Sequence, residues 1–207
     1  MSAFPADPKP LTRIQTKNRA AILDAGLEVF STFGFRGSTL DQIASAAGLS
    51  KPNLLYYFPS KEAIHAELLT GLLSTWLDPL TLMRADGDPV PELLGYVRRK
   101  LEMSRQFPRE SRLFANEILQ GAPRVKAALE GELKDLVDAK AEVIRGWAAA
   151  GKIADLHPHH LIFSIWSLTQ HYADFDVQIR AVLGEEDPFE GAEAYLDALF
   201  TKMLTPA

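Results

Sequence analysis

Apolar positions recur along this chain at three-, four- and seven-residue steps and almost never alternate, so the pattern predicts helices nearly throughout. Ile14, Ala21, Ile22, Ala25, Val29 and Phe33 outline a first helix, which Gly34 and Gly37 break. A short second helix begins near Ser38 or Thr39. Either Ser38 with Asp41 or Thr39 with Gln42 can form its capping box, and Leu40, Ile43, Ala44 and Ala47 form its apolar face. Gly48 closes it. Ser50 caps a third short helix that carries Pro52 in its first turn, where the missing N–H is tolerated, and runs to Tyr57 before Pro59. Ser60 caps a long fourth helix reaching about Arg84. Further helices are predicted over about 91–106, 109–120, 123–150, 158–183 and 188–204, separated by glycine and proline breaks. With no strand-like run and no internal repeat, the expected fold is all-α with about nine helices.

The second and third helices, joined by a tight turn at Gly48-Leu49-Ser50, have the form of a helix-turn-helix. Gly48 suits the turn because it lacks a Cβ, and Ile43, Leu49 and Leu54 supply a small core. The first turn of the third helix offers side chains to a major groove. Asn53 can pair with adenine, and Lys51 can donate to guanine or phosphate. Tyrosine hydroxyls and Lys61 suit phosphate oxygens, as do the backbone N–H groups of the second helix at Thr39. The same spacing is also met by two ordinary core helices with polar outer faces.

Composition narrows the classes. The 207 residues are 47% hydrophobic, enough for a substantial core, and suit one domain with a small one appended. Absence of cysteine excludes disulfides and thiolate metal sites and is compatible with a reducing cytoplasm. No apolar run approaches the ~18 residues of a membrane span. Residues 1–11 are proline-rich and polar and read as a disordered arm. Net charge is −5, yet residues 1–62 hold seven basic and five acidic side chains, a mildly basic end on an acidic body. Lys9, Arg13, Lys17 and Arg19 make that end either a contributor of phosphate or minor-groove contacts or a solubilising tail.

The run from Gly34 to Ala44, GFRGSTLDQIA, followed by GLSKPNLLYYFPSKEAI at 48–64, resembles the DNA-binding domain of TetR-family regulators. That resemblance implies a three-helix DNA-binding domain over 12–59, a helical ligand-binding and dimerisation domain over 60–207, and a homodimer on a double-stranded operator. It places Lys51, Pro52 and Asn53 toward bases and Tyr56, Tyr57 and Lys61 toward the backbone. Leu55 stands where many members have tyrosine, and is read as packing.

The stretches STWLDPL (74–80), LEMSRQFPRESRLFANEILQGAP (101–123) and HLIFSIWSLTQHYADF (160–175) resemble pyrimidine-responsive members of that family, which implies uracil or thymine as effector. The residues permit this. Trp166 and Gln170 share a helix face with Phe163, and a flat ring can stack on an indole while an amide answers an imide. Trp76, Trp166 and Gln170 are the first ligand candidates, with Ser104, Asn116 and His171 beside them. Aromatic residues at this spacing also serve as core, and such a pocket could take another cyclic imide or amide.

Other features read as structural. His157, His159 and His160 have poor spacing for a metal and no evident carboxylate, so no metal and no cofactor are expected. Arg98-Arg99-Lys100 reads as a solvated face. Ile165, Leu168, Tyr172, Phe175, Leu196, Leu199 and Phe200 suggest a four-helix dimer seam, or else burial within one subunit. No nucleophile elbow, phosphate-cradling loop or HExxH run points to an enzyme. The expected function is a ligand-released repressor. The alternatives are a regulator sensing another planar or apolar ligand, and a ligand-binding protein that no longer binds DNA.

Overall fold

The computed structural model describes residues 12–206, so the expected arm over 1–11, with Lys9, lies outside the described residues. Within them every regular element is helical and no strand occurs. In chain order the helices are α1 (Arg13–Gly37), α2 (Leu40–Ala46), α3 (Lys51–Tyr57), α4 (Lys61–Thr81), α5 (Pro89–Gln106) and α6 (Pro108–Leu119). They continue with α7 (Lys126–Ala128), α8 (Lys134–Ala149), α9 (Pro158–Asp174), α10 (Asp176–Leu183) and α11 (Ala192–Leu204). No helix among them is long and apolar enough to cross a membrane.

Among the described residues eleven α-helices replace the expected nine for two reasons. The helix expected over 123–150 becomes α7 and α8, linked by a π-helical segment, Leu129–Leu133. The helix expected over 158–183 breaks at Phe175, whose φ of −114° and ψ of 27° end α9 and start α10. The fourth helix also stops early, at Thr81.

The chain forms two compact units, one to Leu68 and one from Leu69. In the first, Thr12 and Gln15 make the capping box of α1, and Gly34 (φ 66°, ψ 172°) interrupts that helix near its end. Of the two candidate caps for α2, Thr39 with Gln42 is the one formed. Ser38 is instead buried and donates from its hydroxyl to the Gly34 carbonyl at 2.6 Å. Ile22, Phe30, Ile43, Leu54, Phe58 and Ile64 make the core of this unit. The first two turns of α4 belong here rather than beyond Ser60. A Cβ on Gly26 of α1 would lie 2.8 Å from Ile64 Cγ2, so the two helices approach closely at that point.

In the second unit α9 is central, packing on α5, α6 and α8, while α11 packs on α5. Leu93, Val97, Leu101, Ile144, Ile165 and Phe200 lie in the single apolar cluster this creates. That burial corrects the proposed dimer seam. Ile165, Leu196 and Phe200 are core residues of one subunit, and Leu168, Tyr172 and Leu199 pack against the same core. Only Phe175 of the seven is exposed. Exposed apolar side chains of this unit include Phe163 on α9, Val177 and Val182 on α10, and Tyr195 on α11, with Leu82 and Leu119 elsewhere.

Candidate functional sites

The α2–α3 pair is built by local chemistry. Gly48 takes φ 66° between the helices, a conformation that costs a side-chain-bearing residue energy. Ser50 then accepts from the Asn53 N–H and starts α3, with Pro52 in its first turn. Leu54 and Phe58 turn inward, one helical turn apart. Lys51, Pro52 and Asn53 are exposed on the opening turn, with Lys51 Nζ 2.9 Å from Asp41 Oδ2 on α2. Tyr56 and Tyr57 are tied back to α1. The Tyr56 hydroxyl accepts from Gln15 Nε2 and the Tyr57 hydroxyl from Asn18 Nδ2, each at 3.0 Å. Thr39 spends its side chain on the α2 cap.

Several residues sit differently from their sequence reading. Leu55 does not pack. It is 40% exposed beside Tyr56, because Leu54 and Phe58 already fill the inner face. Lys61 is held within the chain, donating to the carbonyls of Phe35 (2.8 Å) and Ser38 (2.7 Å) above the Phe35 ring, so it closes the C-terminal end of α1. Arg19 stacks over Phe58 and pairs with Glu67, and Arg13 and Lys17 also lie on α1 rather than on an arm.

The second unit holds a cavity of about 60 Å³. Trp76 reaches it from α4, Tyr96 and Lys100 from α5, Phe114 from α6, and Trp166 and Gln170 from α9. A more open cavity of about 600 Å³ shares Phe114, Leu133, Trp166 and Gln170 with it and is bordered by Arg112, Asn116 and Asp174. Trp76, Trp166 and Gln170 are thus brought together, and Asn116 lines the outer space only. Two candidates are not gathered in. Ser104 is buried, returns its hydroxyl to the Lys100 carbonyl at 3.1 Å, and lines neither cavity. His171 is exposed, stacks on Phe175 and borders a separate groove with Tyr172 and Tyr195.

The polar groups of the inner cavity are unequally satisfied. Trp166 Nε1 donates to the Tyr96 hydroxyl at 2.6 Å, and burial raises the Tyr96 phenol well above its ordinary value. Trp76 is 8% exposed and its Nε1–H has no acceptor, a deficit that normally costs about 1–3 kcal/mol. Lys100 is the residue that the sequence reading misplaced. Arg98 and Arg99 are exposed as expected, but Lys100 is 3% exposed, with its ammonium 5.3 Å from the centre of the Trp76 ring. Burial lowers its pKa to about 8, against an opposing pull from Asp174. Asp174 is itself pushed above the usual carboxylate range by burial, while its Oδ1 accepts from Ser111 at 2.5 Å. The signal for Lys100 was its spacing from Leu93, Tyr96, Val97 and Leu101 on the apolar face of α5.

The histidines also gain a partner that was not foreseen, since His159 Nε2 lies 2.9 Å from Asp138 Oδ1. Among the described residues no cluster of three or more histidine or carboxylate side chains is arranged to hold a metal.

Comparison with known proteins adds the family. Residues 22–68 match the model described as bacterial regulatory proteins, tetR family. Residues 69–207 match the model described as YcdC-like protein, C-terminal region. The chain is also 51% identical over 173 residues to the HTH-type transcriptional regulator RutR of Escherichia coli (strain K12), covering 84% of this chain and 82% of that one. The chain belongs to the TetR family. It is a TetR-type transcriptional regulator with a helix-turn-helix in its first unit, and its relatives are regulators rather than enzymes. It is 28% identical over 147 residues to the regulator EthR of Mycolicibacterium smegmatis, over 67% of this chain and 64% of that one. Its fold resembles that of the putative transcriptional regulator SCO4942 from Streptomyces coelicolor, with a TM-score of 0.67, 24% identity, and 90% and 98% of the two chains covered. It also resembles AibR solved with isovaleryl coenzyme A and operator DNA, with a TM-score of 0.68, 18% identity, and 88% and 97% covered.

Proposed function

We propose that this TetR-type regulator is a homodimeric repressor that binds a palindromic operator through α3 and is released by uracil or thymine. The observation that carries the effector half is the cavity holding Trp76, Trp166 and Gln170. Its walls are apolar, its polar groups are few, and one buried donor waits for an acceptor. A pyrimidine ring matches that chemistry, and the resemblance of residues 74–80, 101–123 and 160–175 to pyrimidine-responsive regulators supports it. The outer cavity of about 600 Å³, far larger than such a ring, favours a second reading in which the effector carries an apolar substituent.

On the DNA side, Asn53 and Lys51 meet base edges, Pro52 sets the helix start, and Tyr56 and Tyr57 face phosphates. Lys51 must leave Asp41 to reach DNA, a modest cost for an exposed ion pair. Lys61 acts on phosphate only indirectly, by fixing the end of α1 against the start of α2. Two copies must present their α3 helices to grooves about 34–36 Å apart. Phe163, Val177, Val182 and Tyr195, exposed on the last three helices, are the apolar side chains assigned to the dimer. The helix α4 carries Lys61 in its first turn and Trp76 further along, so a ligand against Trp76 changes the state of a helix shared with the DNA-binding unit. Operator and ligand then weaken each other equally, typically by about 1–3 kcal/mol.

Calorimetric titration tests the effector. Saturable uracil binding that is lost in Gln170→Ala and Trp166→Ala supports the reading. A folded dimer that takes no uracil and no thymine refutes it.

A further inference from the structure

The cavity contains more than a stacking surface. Besides Tyr96, three side chains with polar groups of different character line it: Lys100 from α5, Gln170 from α9 and Trp76 from α4. Lys100 and Trp76 can only donate, and Gln170 can accept through its Oε1. Trp76 Nε1 has no hydrogen-bond partner, and the Lys100 ammonium lies 5.3 Å from the centre of the Trp76 ring with Asp174 as its opposing charge, although each residue is more than nine-tenths buried. The other indole of the cavity differs, because its N–H is already bound to Tyr96. An apolar pocket built only for stacking gains nothing from a buried ammonium and an orphaned donor, and both cost stability.

We infer that Lys100 and Trp76 are the specificity-determining pair of the effector site, donating to the two carbonyl oxygens of a cyclic imide whose N–H is received by Gln170 Oε1. The inference rests on the pyrimidine reading and sharpens it to one edge of the ring. An imide presents acceptor, donor, acceptor, and the residues lining the cavity include two donors, Lys100 and Trp76, and one amide, Gln170, that can accept. Cytosine presents an amino donor, a ring-nitrogen acceptor and a carbonyl along the corresponding edge. Its amino group would meet an ammonium, and its ring nitrogen would meet the Gln170 carbonyl. The Gln170 amide can turn its NH2 to the ring nitrogen, but no turn rescues an amino group set against an ammonium, and a site built around buried polar groups rejects such a mismatch. Lys100 therefore selects oxo over amino rings, a role distinct from the stacking of Trp166.

The test is calorimetry on the full-length dimer with uracil, cytosine and glutarimide, a cyclic imide that is not a pyrimidine. The wild type is expected to bind uracil at least about 100-fold more tightly than cytosine. Lys100→Met and Trp76→Phe should each weaken uracil by roughly 10- to 100-fold and shrink the uracil-to-cytosine ratio, with melting and DNA binding showing that the variants are folded. Lys100→Gln supplies an acceptor and should increase cytosine affinity, a gain that misfolding cannot produce. Unchanged uracil affinity and an unchanged ratio in Lys100→Met would overturn the inference while leaving the pyrimidine reading in place. Binding of glutarimide without uracil would end the pyrimidine reading, and the same variants would then decide the donor pair on glutarimide. No binding of any of the three would end both.

Discussion

Replacing Lys100 with methionine should make the protein more stable and its effector response weaker. The side chains are similar in length, so packing changes little, and the main effect is removal of a buried charge. Burial lowers the Lys100 pKa from 10.5 to about 8. At about 1.36 kcal/mol per unit, the charged form is disfavoured on folding by about 3 kcal/mol. The sign follows from proton counting. Between pH about 8 and 10 the unfolded chain keeps the Lys100 proton that the folded chain has released, so wild-type stability rises with pH across that window. Below pH 8 both states hold the proton and the full penalty is present. Lys100→Met should therefore gain up to about 3 kcal/mol at pH 7 and lose the upward slope above pH 8, as read by urea unfolding at a series of pH values. A variant that is less stable than wild type at pH 7, or that keeps the slope, would show that Lys100 is not a buried cation. A residue that costs stability and sits in a cavity has the profile of a functional group, which is why stability and binding should move in opposite directions.

Asn53→Ala should cost operator affinity about 1–3 kcal/mol and relax base preference at one position of each half-site, measured by binding to a panel of mutated operators. A uniform loss across all sequences would assign Asn53 to the backbone instead. Gly48→Ala should destabilise the first unit by about 1–2 kcal/mol, because its φ of 66° is unfavourable for alanine, and near-identical melting would contradict this. Val182→Glu or Tyr195→Glu, both on exposed positions, should leave the subunit folded but shift sedimentation toward monomer, and an unaltered dimer would remove this face from the interface.

The features that were legible in the sequence are those fixed by neighbours along the chain. Thr39, Gly48, Ser50 and Pro52 set the limits of α2 and α3 through caps and a turn, and these act within three or four residues. Ile43 and Leu54 face inward as their spacing predicts. Features that depend on partners far along the chain were not legible. Lys100 was read with Arg98 and Arg99 as a solvated run, although its helical register places it among Leu93, Val97 and Leu101 on the buried face of α5. Ile165, Leu196 and Phe200 carry the same pattern whether they fill a subunit core or a dimer seam, and only the packing of α9 and α11 with α5 decides. Ser104 and His171 lie on the right helices but turn away from the cavity. The break at Phe175 carries no glycine or proline of the kind that marks the other helix ends, and at the π segment Leu129–Leu133 the lone Gly131 sits in an otherwise helical pattern.

The most direct test of the account joins its two halves in one titration. Duplexes selected from a random pool by the full-length protein should be held at fixed concentration while uracil is added, with fluorescence anisotropy reporting bound DNA. The account predicts a saturable fall in bound DNA with uracil, little response to cytosine, and no response to uracil in Gln170→Ala. DNA that remains fully bound at saturating uracil, in a protein shown to bind the ligand, would contradict the coupling on which the proposed regulation depends.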